Sequence, residues 1–230
     1  MKRLISDFSG PLMDISERHY RLYIDCLSEV NNTNETQNKT IKYMPKEIFW
    51  RLKRMHISQE EIGIKSGLNS EQSIIFASLY KAKTNLFKYM SYDQPAEGAI
   101  MSLETARNYN IDLVLLTMRR VTELEFAFSR TEFGKFFQND HVYCLNDDYE
   151  KISDIEDKPL LLNRALHRLP CISDTWLVGD TEADIIAAKT YKLKAVCVLS
   201  GSRDYDRLKQ HDPDLIVENI SEVIDLMIKS

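Results

Sequence analysis

The stretch Thr175–Gly201, TWLVGDTEADIIAAKTYKLKAVCVLSG, decides the fold. It opens with a strand-type run, Thr175–Gly179 (TWLVG), and closes with another, Ala195–Leu199 (AVCVL). Between them Ala183–Tyr191 has the apolar spacing of an amphipathic helix. Strand, helix and strand in that order predict a βαβ unit with parallel strands and a right-handed crossover. The first of these strands ends in Gly179-Asp180-Thr181-Glu182-Ala183-Asp184. Its acidic residues therefore fall at the carboxyl edge of the sheet, where open parallel sheets hold their reactive groups.

The alternation continues outward. Lys2–Asp7, Ile111–Thr117 (IDLVLLT), His141–Leu145 and Asp214–Val217 (DLIV) complete a predicted set of six strands. Ile111–Thr117 is almost continuously apolar, as befits a strand buried on both faces. Gly98–Asn108, Leu160–Leu169 and Ser221–Ile228 are predicted crossover helices. The expected class is α/β, a Rossmann-like three-layer core with a parallel sheet.

One interval is far too long for a single crossover, that between Asp7 and Ile111. Ile15–Val30 carries Tyr20, Tyr23, Leu27 and Val30 on one helical face, with Asp14 and Glu17 spaced as a capping box. Pro45–Met55, Ser58–Lys65 and Ser70–Met90 are further predicted helices. Asn31–Thr40 (NNTNETQNKT) is polar and low in complexity, an expected mobile loop. Residues 14–92 are thus expected to form a helical insertion, a small second domain set into a core domain made of 1–13 and 93–230.

Composition excludes several classes. The chain of 230 residues carries 30 Lys+Arg against 35 Asp+Glu, a net charge of −5. An acidic balance without a basic run argues against nucleic-acid binding. The apolar runs are strand-sized, far below the ~20 residues that cross a bilayer, so no membrane partner is expected. Lys2 and Arg3 are followed by too short an apolar run for a secretion signal. Cys26, Cys144, Cys171 and Cys197 show no CxxC pairing, as in a reduced cytoplasmic protein.

The strand ends supply the candidate chemistry. The first strand ends in Asp7-Phe8-Ser9-Gly10-Pro11 and the second in Thr117, while Lys158-Pro159 is expected to open a helix before the fourth. An Asp, a hydroxyl, a Lys and the pair Asp180 and Asp184 would converge on one crevice.

In this order the motifs resemble those of the haloacid dehalogenase-like hydrolase superfamily, and the resemblance covers the whole chain. The matching pieces are DFSGP at Asp7–Pro11, Thr117, Lys158 and GDTEAD at Gly179–Asp184. A helical cap inserted after the first motif is that family's commonest arrangement. The resemblance implies a Mg²⁺-dependent phosphatase acting on a small phosphorylated metabolite, as a monomer or homodimer. Asp7 would be the nucleophile and form an aspartyl-phosphate. Asp7, Asp180 and Asp184, with the backbone carbonyl of Ser9, would hold the metal. Thr117 would donate to the transferring phosphoryl, and Lys158 would balance its charge. Gly10, Met118, Arg119 and Lys53 are the expected substrate contacts, with Arg120 as a further basic candidate.

One departure matters. Phosphatases of this family carry a general acid/base Asp two residues after the nucleophile; here that residue is Ser9. The missing acid–base help is worth ~10²–10⁴-fold in rate. Three readings follow: a weakened phosphatase, a non-catalytic binder of phosphorylated metabolites, or a relative of phosphonoacetaldehyde hydrolase. The last uses a cap lysine, for which Lys53 near His56 is the candidate, although Arg51, Lys53 and Arg54 also make an ordinary solvated helix face. Pro11, near an expected helix start, is read as structurally neutral. Tyr20, Tyr23, Phe49 and Trp50 are read as packing residues rather than a substrate platform.

Overall fold

The computed structural model describes residues 1–32 and 41–230. Its chain divides into two compact units, one of Met1–Asp14 with Gln94–Ser230 and one of Ile15–Asp93. The strands are β1 (Lys2–Ser6), β2 (Met13–Asp14), β3 (Gln94–Pro95), β4 (Asp112–Arg120), β5 (Val142–Leu145), β6 (Asp174–Gly179), β7 (Lys194–Val198) and β8 (Leu215–Val217). The helices are α1 (Ser16–Asn32), α2 (Lys46–Arg54), α3 (Gln59–Lys65), α4 (Ser70–Lys83), α5 (Phe87–Met90), α6 (Ala99–Asn108), α7 (Val121–Arg130), α8 (Asp154–Arg168), α9 (Glu182–Thr190), α10 (Tyr205–Lys209) and α11 (Ile220–Lys229).

The six strands read from the sequence pair in the order β5-β4-β1-β6-β7-β8, all parallel. Leu4 of β1 lies between Leu113 of β4 and Trp176 of β6. The order turns back on itself at β1, and such a switch point leaves a crevice beyond the carboxyl ends of the central strands. Ile5, Val114, Leu116 and Leu177 of these strands are buried with Leu162 and Ala165 of α8 and Ile185 and Ala188 of α9. Burying a side chain of this size contributes about 1.5–3 kcal/mol. Helices α8 and α9 thereby cover one face of the sheet, and the loops that follow β1, β4 and β6 inherit a rigid base.

The unit Ile15–Asp93 has a separate core. Leu22, Tyr23, Leu27 and Val30 of α1 pack with Phe49, Ile62, Phe76 and Tyr80. Tyr23 stacks on Phe49 at 4.6 Å, and Trp50 packs against the same cluster. The aromatic residues are packing residues here, as their helical spacing indicates. Arg18, in the first turn of α1, pairs with Asp93 at 3.1 Å, joining the two ends of this segment.

Local boundaries differ from the sequence reading where tertiary partners intervene. The run 70–90 is two helices, α4 and α5, because the chain turns at residues 84–86. Asp14 belongs to β2, paired with Gln94, and Glu17 binds Arg21 at 2.6 Å and Lys46 at 2.8 Å. Pro11 lies not at a helix start but in a turn, where Leu12 and Met13 both donate to Phe8 O. The loop expected over Asn31–Thr40 lies outside the described residues after Asn32, and Asn31 and Asn32 end α1.

Candidate active site

Asp7 is the first residue beyond β1, and its N–H donates to Val178 O at 2.8 Å, fixing the chain against β6. Its carboxylate accepts from the Phe8 N–H at 2.7 Å and from Lys158 Nζ at 2.8 Å. The same Nζ reaches Asp184 Oδ1 at 2.5 Å. The sequence reading expected Lys158 to open its helix, and the structure corrects this. The helix begins at Asp154, capped by the Ser153 hydroxyl, and Lys158 points inward from its second turn. Asp157 explains that earlier start: buried, it accepts from the N–H groups of Ile152 and Ser153 and from the Tyr149 hydroxyl.

The acidic motif is held by backbone. Asp184 Oδ2 accepts from the N–H of Asp180 at 3.2 Å, the N–H of Thr181 at 3.1 Å and the Thr181 hydroxyl at 2.7 Å. Asp180 Oδ2 accepts from the Ser202 N–H at 2.5 Å. Glycines make room for both acids. A Cβ on Gly10, which has φ +100°, would fall 2.3 Å from Asp180 Cγ, and one on Gly179 would fall 1.9 Å from Asp184 Cγ. Ser200 donates to Gly10 O at 3.0 Å, tying the loop after β7 to the loop after β1.

Burial dominates the electrostatics. It pushes Asp7 up to about 6 against the opposing pull of Lys158, and it pushes Asp180 up to about 7 with help from Asp7 and Asp184. Burial opposes the charge of Lys158, but Asp184 and Asp7 outweigh it and hold the ammonium protonated. Asp7, Asp180 and Asp184 offer ligand oxygens all within 4.8 Å of one another. When ionised, three carboxylates against one ammonium leave two negative charges, which one divalent cation cancels. An all-oxygen donor set of this charge fits Mg²⁺.

The remaining expected residues divide. Thr117 is buried on β4, which runs three residues further than expected, and its hydroxyl oxygen accepts the Arg119 N–H at 3.2 Å. Met118 packs on the central core cluster, so its side chain is committed there. Arg119 is buried, and its Nε–H donates to Ser9 Oγ at 3.1 Å. Arg120 instead fastens a loop, donating to the carbonyls of Asn146, Asp147 and Tyr149. Lys53 lies half-buried in the other unit, 5.6 Å from the Tyr80 ring centre. Sequence reading passed over Thr181, Ser202 and the pair Arg203–Glu182. The signal that pointed toward them was Gly201, in the Ser-Gly-Ser step after β7, where a Cβ would meet Asp180.

This arrangement places an aspartate beyond the central strand with one buried ammonium and two further aspartates around it. The HAD-hydrolase-like family model matches residues 157–223. The pyrophosphatase PpaX of Oceanobacillus iheyensis is 25% identical over 127 residues, 55% of this chain and 56% of that protein. The pyrophosphatase PpaX of Bacillus velezensis is 25% identical over 163 residues, 69% of this chain and 71% of that protein. The chain thus spans little more than half the length of the first of these relatives. A crystal structure described as a predicted phosphatase from Clostridium acetobutylicum superposes with a TM-score of 0.69 at 17% identity, covering 100% of this chain and 99% of that one. Over residues 157–223 the chain thus resembles the HAD-hydrolase-like family, and over its whole length it has the fold of that crystal structure.

Proposed function

We propose that the protein is a Mg²⁺-dependent phosphohydrolase that transfers a phosphoryl group from a small cytoplasmic metabolite to Asp7 and then to water. The observation that carries this reading is the ion pair of Asp7 with the buried Lys158, beside Asp180 and Asp184. A carboxylate attacking an anionic phosphate needs positive charge around it, and this site is arranged to supply it. Asp7, Asp180 and Asp184 would hold Mg²⁺, which when bound neutralises charge on the nucleophile and the phosphoryl oxygens. Lys158 orients Asp7, and the Thr117 hydroxyl donates to the phosphoryl. Ser9 cannot act as a carboxylic acid would, so alkyl phosphomonoesters turn over slowly. The unit Ile15–Asp93, inserted directly after the nucleophile's loop, is assigned as the cap that selects the substrate.

The test is a screen of phosphorylated metabolites with Mg²⁺ and with EDTA, for the wild type and Asp7→Asn. The reading expects Mg²⁺-dependent phosphate release with the wild type, and an acid-stable, hydroxylamine-sensitive phosphoprotein that Asp7→Asn lacks. Saturable binding with no turnover and no phosphoprotein would leave a binding module instead.

A further inference from the structure

Ser9 is not simply an acid/base residue deleted; a cation has been set against it. The Arg119 Nε–H donates to Ser9 Oγ at 3.1 Å, and the guanidinium carbon lies 5.0 Å from the centre of the Phe8 ring. Arg119 is buried, and the N–H of Phe8 is itself bound to Asp7 Oδ1. The position that resembles an acid/base site therefore holds a neutral hydroxyl under a fixed, permanently charged guanidinium. Accepting from Arg119 also directs the Ser9 hydroxyl hydrogen away from the guanidinium.

Resting on the phosphohydrolase reading above, we propose that this site is specialised for phosphoanhydrides and that Arg119 stabilises the departing phosphate. The chemistry of the leaving group decides it. An alkoxide is a poor leaving group and needs a proton as it departs, which Ser9 cannot give. A phosphate departs as a stable anion without a proton, and a cation beside it offsets its growing charge. Arginine matches phosphate geometrically and keeps its charge at every working pH. In the first step an Asp7 oxygen bonds to phosphorus while the bond from phosphorus to the bridging oxygen breaks, and its electron pair leaves with the phosphate. In the second step water oxygen bonds to that phosphorus, the bond to Asp7 breaks, and the water proton passes to solvent.

The experiment compares kcat/KM for inorganic pyrophosphate and for glycerol 2-phosphate, with Mg²⁺, in wild type, Arg119→Gln and Arg119→Lys, each checked for native melting. Wild type should prefer pyrophosphate by ~10²-fold or more, the scale of the missing acid. Arg119→Gln should lower the pyrophosphate value by ~10²-fold, the scale of losing one electrostatic stabiliser, and lower the ester value much less. Arg119→Lys should recover part of that loss. Equal wild-type use of both substrates, or a parallel fall of both in Arg119→Gln, would overturn the proposal. If the wild type turns over neither and forms no phosphoprotein on Asp7, the phosphohydrolase reading itself has failed, and this outcome is distinct from the other two.

Discussion

Lys158 Nζ lies 2.8 Å from Asp7 Oδ2 and 2.5 Å from Asp184 Oδ1, so one buried ammonium bridges the acids that follow β1 and β6. Breaking a buried pair by removing one partner costs about 3–5 kcal/mol, because the charge left behind has no counterpart. Lys158→Met should therefore destabilise the metal-free protein by that order in urea denaturation, and it should abolish phosphoprotein formation. Unchanged stability would mean that the acids are neutral in the folded protein, and that Lys158 does not organise them.

Metal and pH are linked at the same acids. Asp7 and Asp180 sit at about 6 and about 7 in the folded, metal-free protein, against an ordinary 3.8. Well below pH 3.8 both are protonated, folded or unfolded, and the stability contribution is fully present. As pH rises toward 7 the unfolded chain ionises first, so stability is lost through this window. Melting temperature measured from pH 4 to 8 should fall more steeply for wild type than for Asp180→Asn. Millimolar Mg²⁺ should flatten the wild-type curve and raise its upper end, and should do little for Asp180→Asn. Equal slopes in the two proteins would remove Asp180 from this role.

On the proposed phosphohydrolase reading, Ser9 would separate the two chemical steps. An activated aryl phosphate leaves without a proton, whereas water attack on an aspartyl-phosphate would lack a base for every substrate. Rapid mixing with such a substrate should give a product burst approaching one equivalent of enzyme, then a slow steady rate. A linear trace from the first turnover would place the slow step before phosphorylation or supply a base from elsewhere.

Arg203 and Glu182 form a two-point ion pair, with Nε to Oε2 at 2.8 Å and Nη2 to Oε1 at 2.9 Å. It ties the loop carrying Ser202 to the start of α9, next to Asp180. Arg203→Ala should weaken Mg²⁺ binding by ~10–100-fold, the usual effect of losing a residue that orients a ligand. Calorimetric titration with Mg²⁺ checks this, and undiminished affinity would make the pair purely a surface tie.

On the far side of the sheet, Arg3 is buried and binds Asp112 Oδ2 at 2.6 Å, while His141 reaches Asp112 Oδ1 at 3.0 Å. Asp112→Ala should cost about 3–5 kcal/mol of stability without changing Mg²⁺ affinity, because it strands Arg3 far from the site. Chemical denaturation and Mg²⁺ titration of the same variant test both halves.

The sequence by itself marked the six core strands and the helical insertion after the first, and it offered Asp7, Lys158, Asp180 and Asp184 as the candidates that the structure brings together. These are set by local signals: runs such as Leu113–Leu116 can only be buried, and period and punctuation separate strand from helix. It also exposed the departure at Ser9, which is legible only through the resemblance of Asp7–Pro11 to the family's first motif.

Only the tertiary structure decided what surrounds those residues. Arg119 and Arg120 are chemically alike neighbours, yet one lies buried against Ser9 and the other fastens the loop at residues 146–149. Met118 turns into the core, and the Ser202 N–H, beyond the neighbouring strand β7, reaches Asp180. Alternation along β4 sends successive side chains to opposite faces, and packing by distant segments settles what each face meets. The start of α8 at Asp154 likewise follows from Asp157 binding the preceding loop. Such pairings join residues far apart in the chain, and their partners are chosen by the closing of the sheet rather than by any local pattern.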